Sequence, residues 1–186
     1  MTDIMHYAKL YRGVVSDEIC AKTVSEMDTL EFQEHTFYNA NTGEYKPRSG
    51  SQELSMSWGN VSTKQTLNDT VDNTANQYVK DLNVPWFNQF QGYTHVRFNK
   101  YAENKMMALH ADHIHSMFDG ERKGIPILSV LGVLNDDYEG GEFYLVDEKT
   151  DLSKGDIIIF PSNFMYPHKV EPVTKGTRYS YISWIW

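Results

Sequence analysis

The segment DIIIFPSNFMYPHKVEPVTKGTRYSYISWIW, residues 156–186, decides the fold. It opens and closes on strand-forming runs, Asp156 to Phe160 and Arg178 to Trp186, rich in β-branched and aromatic residues. Alternation along the last run sets Arg178, Ser180, Ile182, Trp184 and Trp186 on one face and Tyr179, Tyr181, Ser183 and Ile185 on the other. His168 stands just past the first run, and Arg178 follows ten residues later. A buried guanidinium is well suited to hold a carboxylate through a bidentate pair.

Strand character extends back from this segment to Val84-Pro85. Tyr93 to Tyr101 alternates, Ile125 to Leu134 is a buried apolar run, and Glu142 to Val146 follows the turn signal Gly140-Gly141. Before Val84 the period changes. From Ser16, a candidate N-cap, Ile19, Cys20, Val24, Met27 and Leu30 recur at helical spacing, and from Ser62 the residues Leu67, Val71, Ala75, Tyr78, Val79 and Leu82 form a second stripe. Tyr38 to Trp58, rich in Asn, Gly, Ser and charge, reads as a mobile loop or an irregular hairpin. Two helices followed by many short strands predict a mainly β fold with flanking helices, a double-sheet barrel or jelly roll buttressed on one side. One domain is expected over 1–186, with a helical buttress at about 1–90 and a jelly-roll core at about 91–186. There is no internal repeat and no linker.

Composition narrows the function classes. The 186 residues suit one hydrophobic core, and 40% hydrophobic with 23% charged residues exclude a fibrous or disordered chain. No apolar run reaches the roughly 18 to 20 residues of a membrane span, and Met1 to Tyr11 lacks a basic segment followed by an apolar one. The single cysteine, Cys20, fits a reducing compartment, so a cytoplasmic location is expected. A net charge of -8 opposes general affinity for nucleic acid.

The chemistry centres on His110, Asp112 and His168. In an extended segment residues two apart point the same way, so His110 and Asp112 can reach one ion, and a third ligand from a distant strand closes the set. Two histidines and one carboxylate take one face of an octahedral metal and leave three positions open, the arrangement of non-haem Fe(II) oxygenases. Alone, a His-x-Asp pair is a frequent chance occurrence; the context of His168 and Arg178 gives it weight.

His110-Ala-Asp112, Gly140-Gly141-Glu142-Phe143 and Pro167-His168-Lys-Val170-Glu-Pro172-Val173-Thr-Lys-Gly176-Thr-Arg178 together resemble the Fe(II)/2-oxoglutarate-dependent dioxygenases, in their prolyl 4-hydroxylase-like branch. The stretch Tyr11-Arg-Gly-Val-Val-Ser16-Asp-Glu-Ile-Cys20 is similar to the helix entry of prolyl hydroxylases. The resemblance implies a double-stranded β-helix in which His110, Asp112 and His168 bind Fe(II). By the same resemblance Arg178 pairs with the distal carboxylate of 2-oxoglutarate, and the hydroxyl of Tyr101 bonds that co-substrate. O2 is the other co-substrate, and ascorbate is an accessory reductant of such enzymes. Trp184 matches a tryptophan near the substrate pocket. The loop around Pro47-Arg48-Ser49 matches a mobile substrate-covering segment, which makes Arg48 a candidate substrate contact. Trp186 has no counterpart. Collagen-type prolyl hydroxylases usually carry lysine where Arg178 stands, whereas oxygen-sensing and bacterial relatives carry arginine.

The implied reaction is hydroxylation of an unactivated C–H bond coupled to decarboxylation of 2-oxoglutarate to succinate, of the procollagen-proline 4-dioxygenase type. The expected substrate is a prolyl residue in a peptide or protein, which the long segment from Tyr38 to Trp58, read as a lid, also suits. Rival readings are hydroxylation of a free amino acid or other small metabolite, an AlkB-like nucleic-acid demethylase, and a zinc hydrolase or non-catalytic jelly-roll binding module. AlkB-type enzymes usually place a second arginine six residues after the first, where this chain has Trp184. His113 and His115 are weighed as a second metal pair and set aside in favour of a polar loop beside the iron. Lys175 is read as a solvated turn residue, and Tyr93, Phe98, Phe143 and Phe160 as core. Arg97 shares a strand face with Tyr101, which leaves it either at the pocket or in a surface ion pair.

Overall fold

The computed structural model describes residues 3–39, 42–46, 52–112 and 126–186. In chain order the first elements are β1 (Lys9–Tyr11), α1 (Asp17–Met27), β2 (Gln33–Glu34), β3 (Phe37–Asn39), β4 (Glu44–Lys46), β5 (Ser55–Ser57) and α2 (Lys64–Leu82). They are followed by β6 (Arg97–Tyr101), β7 (Met107–His110), β8 (Leu128–Val133), β9 (Glu139–Gly140) and β10 (Phe143–Leu145). The chain ends on β11 (Glu148–Thr150), β12 (Ile157–Pro161), β13 (His168–Val170), β14 (Val173–Lys175) and β15 (Arg178–Ile185).

Local chemistry explains the two helices. Ser16 caps α1, its Oγ accepting from the Ile19 amide at 3.3 Å, and Asp17 and Glu18 occupy the electropositive first turn. Helix α2, expected from near Ser62, starts at Lys64, with Thr63 as N-cap and no side-chain capping bond. The hydroxyls there join the helices instead: Thr63 Oγ1 lies 2.6 Å from Thr23 Oγ1, and Ser62 Oγ donates to Glu26 Oε1 at 2.5 Å. The stripe Leu67, Val71, Ala75, Tyr78 and Leu82 is buried.

The strands form a jelly roll of antiparallel sheets. A seven-stranded sheet runs β1-β12-β8-β15-β6-β5-β2 and a four-stranded sheet runs β11-β10-β13-β7. Two apolar layers result, one on each face of the larger sheet. Val96, Phe98, Val130, Ile157, Ile159, Tyr179, Tyr181 and Ile185 pack with the helices, whereas Tyr101, Leu131, Ile158, Phe160 and Ile182 meet Phe143, Leu145 and Val170 of the smaller sheet. This is the alternation expected of β15, up to its end. Trp186 departs from it, because the strand stops at Ile185 and the indole lies over Gly92, where an added Cβ would stand 2.8 Å from the ring. Gly132 is obligatory for a similar reason. It pairs with Tyr181 across the β8–β15 ladder, and a Cβ there would fall 2.1 Å from that ring.

The N-terminal part is more than a helical buttress, since β1, β2 and β5 complete the larger sheet. Tyr38 to Trp58, read as a mobile loop or an irregular hairpin, holds a hairpin among its described residues. Of its described residues, β4 pairs with β3 as a hairpin and β5 pairs with β6, with Leu54 buried beside it. Ladder bonds to β6 and the burial of Leu54 fix the end of this segment. Arg48, with its neighbours Pro47 and Ser49, lies outside the described residues, as do His113 and His115.

Candidate metal centre

Register brings the three ligand candidates together. His110 ends β7 and His168 begins β13, and the two are paired across the ladder, so their rings sit side by side with centroids 4.3 Å apart. Asp112 follows two residues after His110. Its Oδ1 lies 3.3 Å from His110 Nε2 and 3.7 Å from His168 Nε2, and the ligating atoms of all three fall within 4.8 Å of one another. Each imidazole is turned by its own backbone: His110 Nδ1 lies 2.8 Å from the Ala108 carbonyl oxygen and His168 Nδ1 lies 3.1 Å from that of Tyr166. A carbonyl can only accept, so Nδ1 carries the proton and Nε2 presents its lone pair to the centre.

Asp112 is oriented just as firmly. Its second oxygen, Oδ2, accepts from Ser129 Oγ at 2.5 Å and from the Trp184 indole at 2.9 Å. Ser129 and Trp184 are themselves cross-strand partners on β8 and β15. Ser129 Oγ also lies 2.7 Å from Ser162 Oγ, which extends the hydrogen-bonded chain past β12. One carboxylate oxygen is thus tied to the larger sheet while the other faces the histidines of the smaller one. Burial works against ionisation of Asp112, but the neighbouring His168 and His110 and the hydrogen bond from Ser129 outweigh it and hold the carboxyl below its usual range. His168 is moved the other way from a histidine that gains a partner: burial lowers its value more than Asp112 raises it. A neutral imidazole is the form that binds metal.

The centre opens into a cavity of about 290 Å³ between the sheets. Tyr101, Leu131, Ile182 and Trp184 line it, with Leu54 and Met107 on the opposite side and Trp58 at its rim, 51% exposed. Tyr101 is almost fully buried and pairs with Arg178 across the β6–β15 ladder. The Arg178 guanidinium lies 5.0 Å from the Tyr101 ring and is 1% exposed, but it is not itself among the residues lining the cavity. Nη1 donates to Ser180 Oγ at 3.1 Å, and Nε has no partner. A buried guanidinium with an orphaned donor and no carboxylate beside it among the described residues is the state expected of an anion site without its anion.

Residues 96–186 match the sequence model of the 2OG-Fe(II) oxygenase superfamily. Similarity to that superfamily is thus carried by the C-terminal half of the chain, which holds all three ligand candidates. Among curated proteins, the oxygenase segment is similar to a PKHD-type hydroxylase of Idiomarina loihiensis, 35% identical over 94 residues that cover 48% of this chain and 41% of the relative. A PKHD-type hydroxylase of Alteromonas mediterranea is 34% identical over 96 residues, 47% of this chain and 41% of the relative. The matches therefore span less than half the length of these relatives. Among solved structures, a prolyl-4-hydroxylase of Pseudomonas putida shares the fold with a TM-score of 0.66 at 16% identity, covering 97% of this chain and 92% of that one. A prolyl hydroxylase of Trichoplax adhaerens, in complex with a hypoxia inducible factor peptide, gives 0.70 at 16% identity, covering 97% and 84%. The jelly roll of this chain is thus the fold of the prolyl hydroxylases.

The site also holds residues that sequence reasoning missed or left open. Ser129 was not singled out, although it is a polar residue inside the otherwise apolar run from Ile125 to Leu134. Trp184, a substrate-contact candidate by resemblance, also donates from its indole to the Asp112 carboxylate. Arg97 lies at the cavity, 8% exposed, its guanidinium carbon 5.1 Å from the Trp184 ring and its Nε donating to Asn99 Oδ1 at 3.3 Å. Burial pulls it down to about 10. Lys175 is exposed and paired with Glu139 at 2.7 Å, away from the centre.

Proposed function

We propose that this protein is an Fe(II)- and 2-oxoglutarate-dependent hydroxylase acting on prolyl residues of a peptide or protein, with His110, Asp112 and His168 as the iron ligands. The observation that carries this reading is the convergence of two paired Nε2 atoms on Asp112 Oδ1, with Oδ2 held back by Ser129 and Trp184. Three protein ligands on one side leave room for co-substrates, as the family chemistry requires. When bound, iron with 2-oxoglutarate and O2 supplies the oxidising power that no amino-acid side chain has.

The chain's own residues do the rest. The Ala108 and Tyr166 carbonyls fix the imidazole tautomers. Arg178, with its orphaned Nε, receives the distal carboxylate of 2-oxoglutarate, and Tyr101 adds its hydroxyl. Leu54, Met107, Leu131 and Ile182 form dry walls that keep water from the reacting carbon. Trp58 and Trp184, ring centroids 6.5 Å apart, offer aromatic surface to a prolyl ring. Arg48, by family resemblance, adds a substrate contact. The prolyl substrate is supported by the fold shared with prolyl hydroxylases, one of them solved with a peptide. A cytoplasmic site of action rests on Cys20, the sole cysteine, which is free and buried. Among the described residues no helix is long and apolar enough to cross a membrane.

The test is incubation with Fe(II), 2-oxoglutarate, O2 and a panel of prolyl peptides. Succinate should form only with iron present, and one peptide should gain the mass of one oxygen atom. Succinate formation stimulated by a free amino acid, with every peptide unchanged, would replace the peptide reading by the metabolite one.

A further inference from the structure

Arg97 is the charged group at the cavity that the iron and 2-oxoglutarate chemistry leaves unemployed. The alternation of β6 turns Val96 and Phe98 toward the helices and Arg97, Asn99 and Tyr101 toward the cavity. Among the described residues no carboxylate lies within ion-pairing distance of Arg97, and its only hydrogen bond there is from Nε to Asn99, so the two terminal amino groups are uncommitted. Asp112 does not engage them, since its oxygens are taken by Ser129, Trp184 and the histidines. Asp112 attracts this cation from beyond ion-pair distance, so a guanidinium bonded to one neutral amide and resting on an aromatic face is incompletely compensated, and an apolar side chain would fill this wall more stably.

The position of Arg97 relative to Arg178 points to its use. The strands β6 and β15 pair Tyr101 with Arg178 at one end and Arg97 with Ile182 at the other. Four residues of strand separate Tyr101 from Arg97, roughly 13 Å of backbone. Arg178 stays outside the cavity lining whereas Arg97 is part of it, so the two guanidinium groups face different surroundings. Arg178 lies at the Tyr101 end; Arg97 lies at the Trp184 end, one indole away from the metal carboxylate.

We propose that Arg97 recognises a free carboxylate on the primary substrate, close to the carbon that is oxidised. This rests on the hydroxylase reading above and narrows it: the prolyl residue is one whose α-carboxylate is free, at a peptide C-terminus or in the free amino acid. Asn99 orients the guanidinium, and Trp58 and Trp184 flank the ring.

The test measures binding to the Fe(II)/2-oxoglutarate holoenzyme kept without O2, by calorimetry and by quenching of tryptophan fluorescence. The probes are the tripeptide alanyl-alanyl-proline, its C-terminal amide, and free proline. The acid should bind at least about tenfold more tightly than the amide, the scale expected for loss of one desolvated charge partner. Arg97→Gln and Arg97→Met should erase that preference, Arg97→Lys should keep part of it, and all three should leave 2-oxoglutarate affinity within about twofold. Tighter binding of the tripeptide than of free proline assigns the carboxylate to a peptide terminus, and the reverse assigns it to the amino acid. If none of the prolyl probes binds, the same acid and amide pairs built on other C-terminal residues decide: a preference for acids that depends on Arg97 sustains this assignment while refuting the prolyl reading. Equal binding of acids and amides throughout, or a loss of 2-oxoglutarate affinity in folded Arg97→Gln, overturns it.

Discussion

Replacing Trp184 by phenylalanine isolates one bond of the metal centre. An aromatic ring on β15 and a stacking surface for Arg97 are kept, and the indole N–H that donates to Asp112 Oδ2 at 2.9 Å is removed. A hydrogen bond to a charged group contributes about 1.5 to 3 kcal/mol, and 1.4 kcal/mol is a tenfold change in an equilibrium constant. Ser129 Oγ still holds the same oxygen at 2.5 Å, so the carboxylate loses one of two tethers and not its whole orientation. The expected loss is therefore near the lower end of the 10- to 100-fold range typical for partners of metal ligands, about tenfold in Fe(II) affinity. Anaerobic titration against a chromophoric chelator reads this directly, with the melting temperature of the metal-free protein as control. The smaller ring leaves a void whose cost falls on stability in both metal states, whereas the lost bond falls on iron binding. Iron affinity within about twofold of the parent in a folded Trp184→Phe protein would refute the claim that the indole positions Asp112.

Further outcomes follow from the same geometry. Asp112→Ala should abolish tight Fe(II) binding and turnover with the fold intact, measured by iron titration and circular dichroism; near-native affinity would remove Asp112 from the ligand set. Arg178→Met should raise the apparent 2-oxoglutarate constant by tens of fold or more, from the roughly 2 to 5 kcal/mol lost with one buried charge partner, and Tyr101→Phe should raise it less. Gly132→Ala should cost at least about 1 to 3 kcal/mol in urea unfolding, because the new methyl collides with the buried Tyr181 ring; an unchanged midpoint would mean that β8 and β15 are not in the stated register. In the metal-free protein the depressed value of Asp112 contributes stability that is complete above about pH 4 and is lost as pH falls through its lowered value, so Asp112→Asn should flatten the acid side of the melting-temperature profile. Parallel acid limbs in the two proteins would contradict that assignment.

What could be read from sequence was whatever depends on neighbours within a few residues. The spacing of His110 and Asp112, the Ser16 cap and the alternation of β15 all belong to this class, because strand and helix periods are local properties. The pairing of His110 with His168, and of Ser129 with Trp184, joins residues far apart in the chain. Only the ladder register decides it. A slip of one residue in β8 would turn Ser129 toward the helices and leave Asp112 Oδ2 one donor short, so the metal site and the apolar alternation of the sheet stand or fall together. The β strands of the N-terminal part were hidden for another reason: β2 and β5 are two and three residues long, too short for a period to register.

One local signal was present and points the same way for several residues. Ser129 in β8, Arg97 and Asn99 in β6, and Arg178 and Ser180 in β15 are all polar, all buried, and each adjoins at least one buried hydrophobic residue in its strand. Burying such groups costs stability unless each finds a partner. Ser129 finds Asp112, and Ser180 and Asn99 each accept from an arginine beside them. The two guanidinium groups retain donors that nothing among the described residues accepts. Stability alone would have replaced both with apolar side chains, so the unspent donors of Arg97 in the cavity wall and of Arg178 beside Tyr101 support the two proposals made above, the co-substrate at Arg178 and a second acid at Arg97.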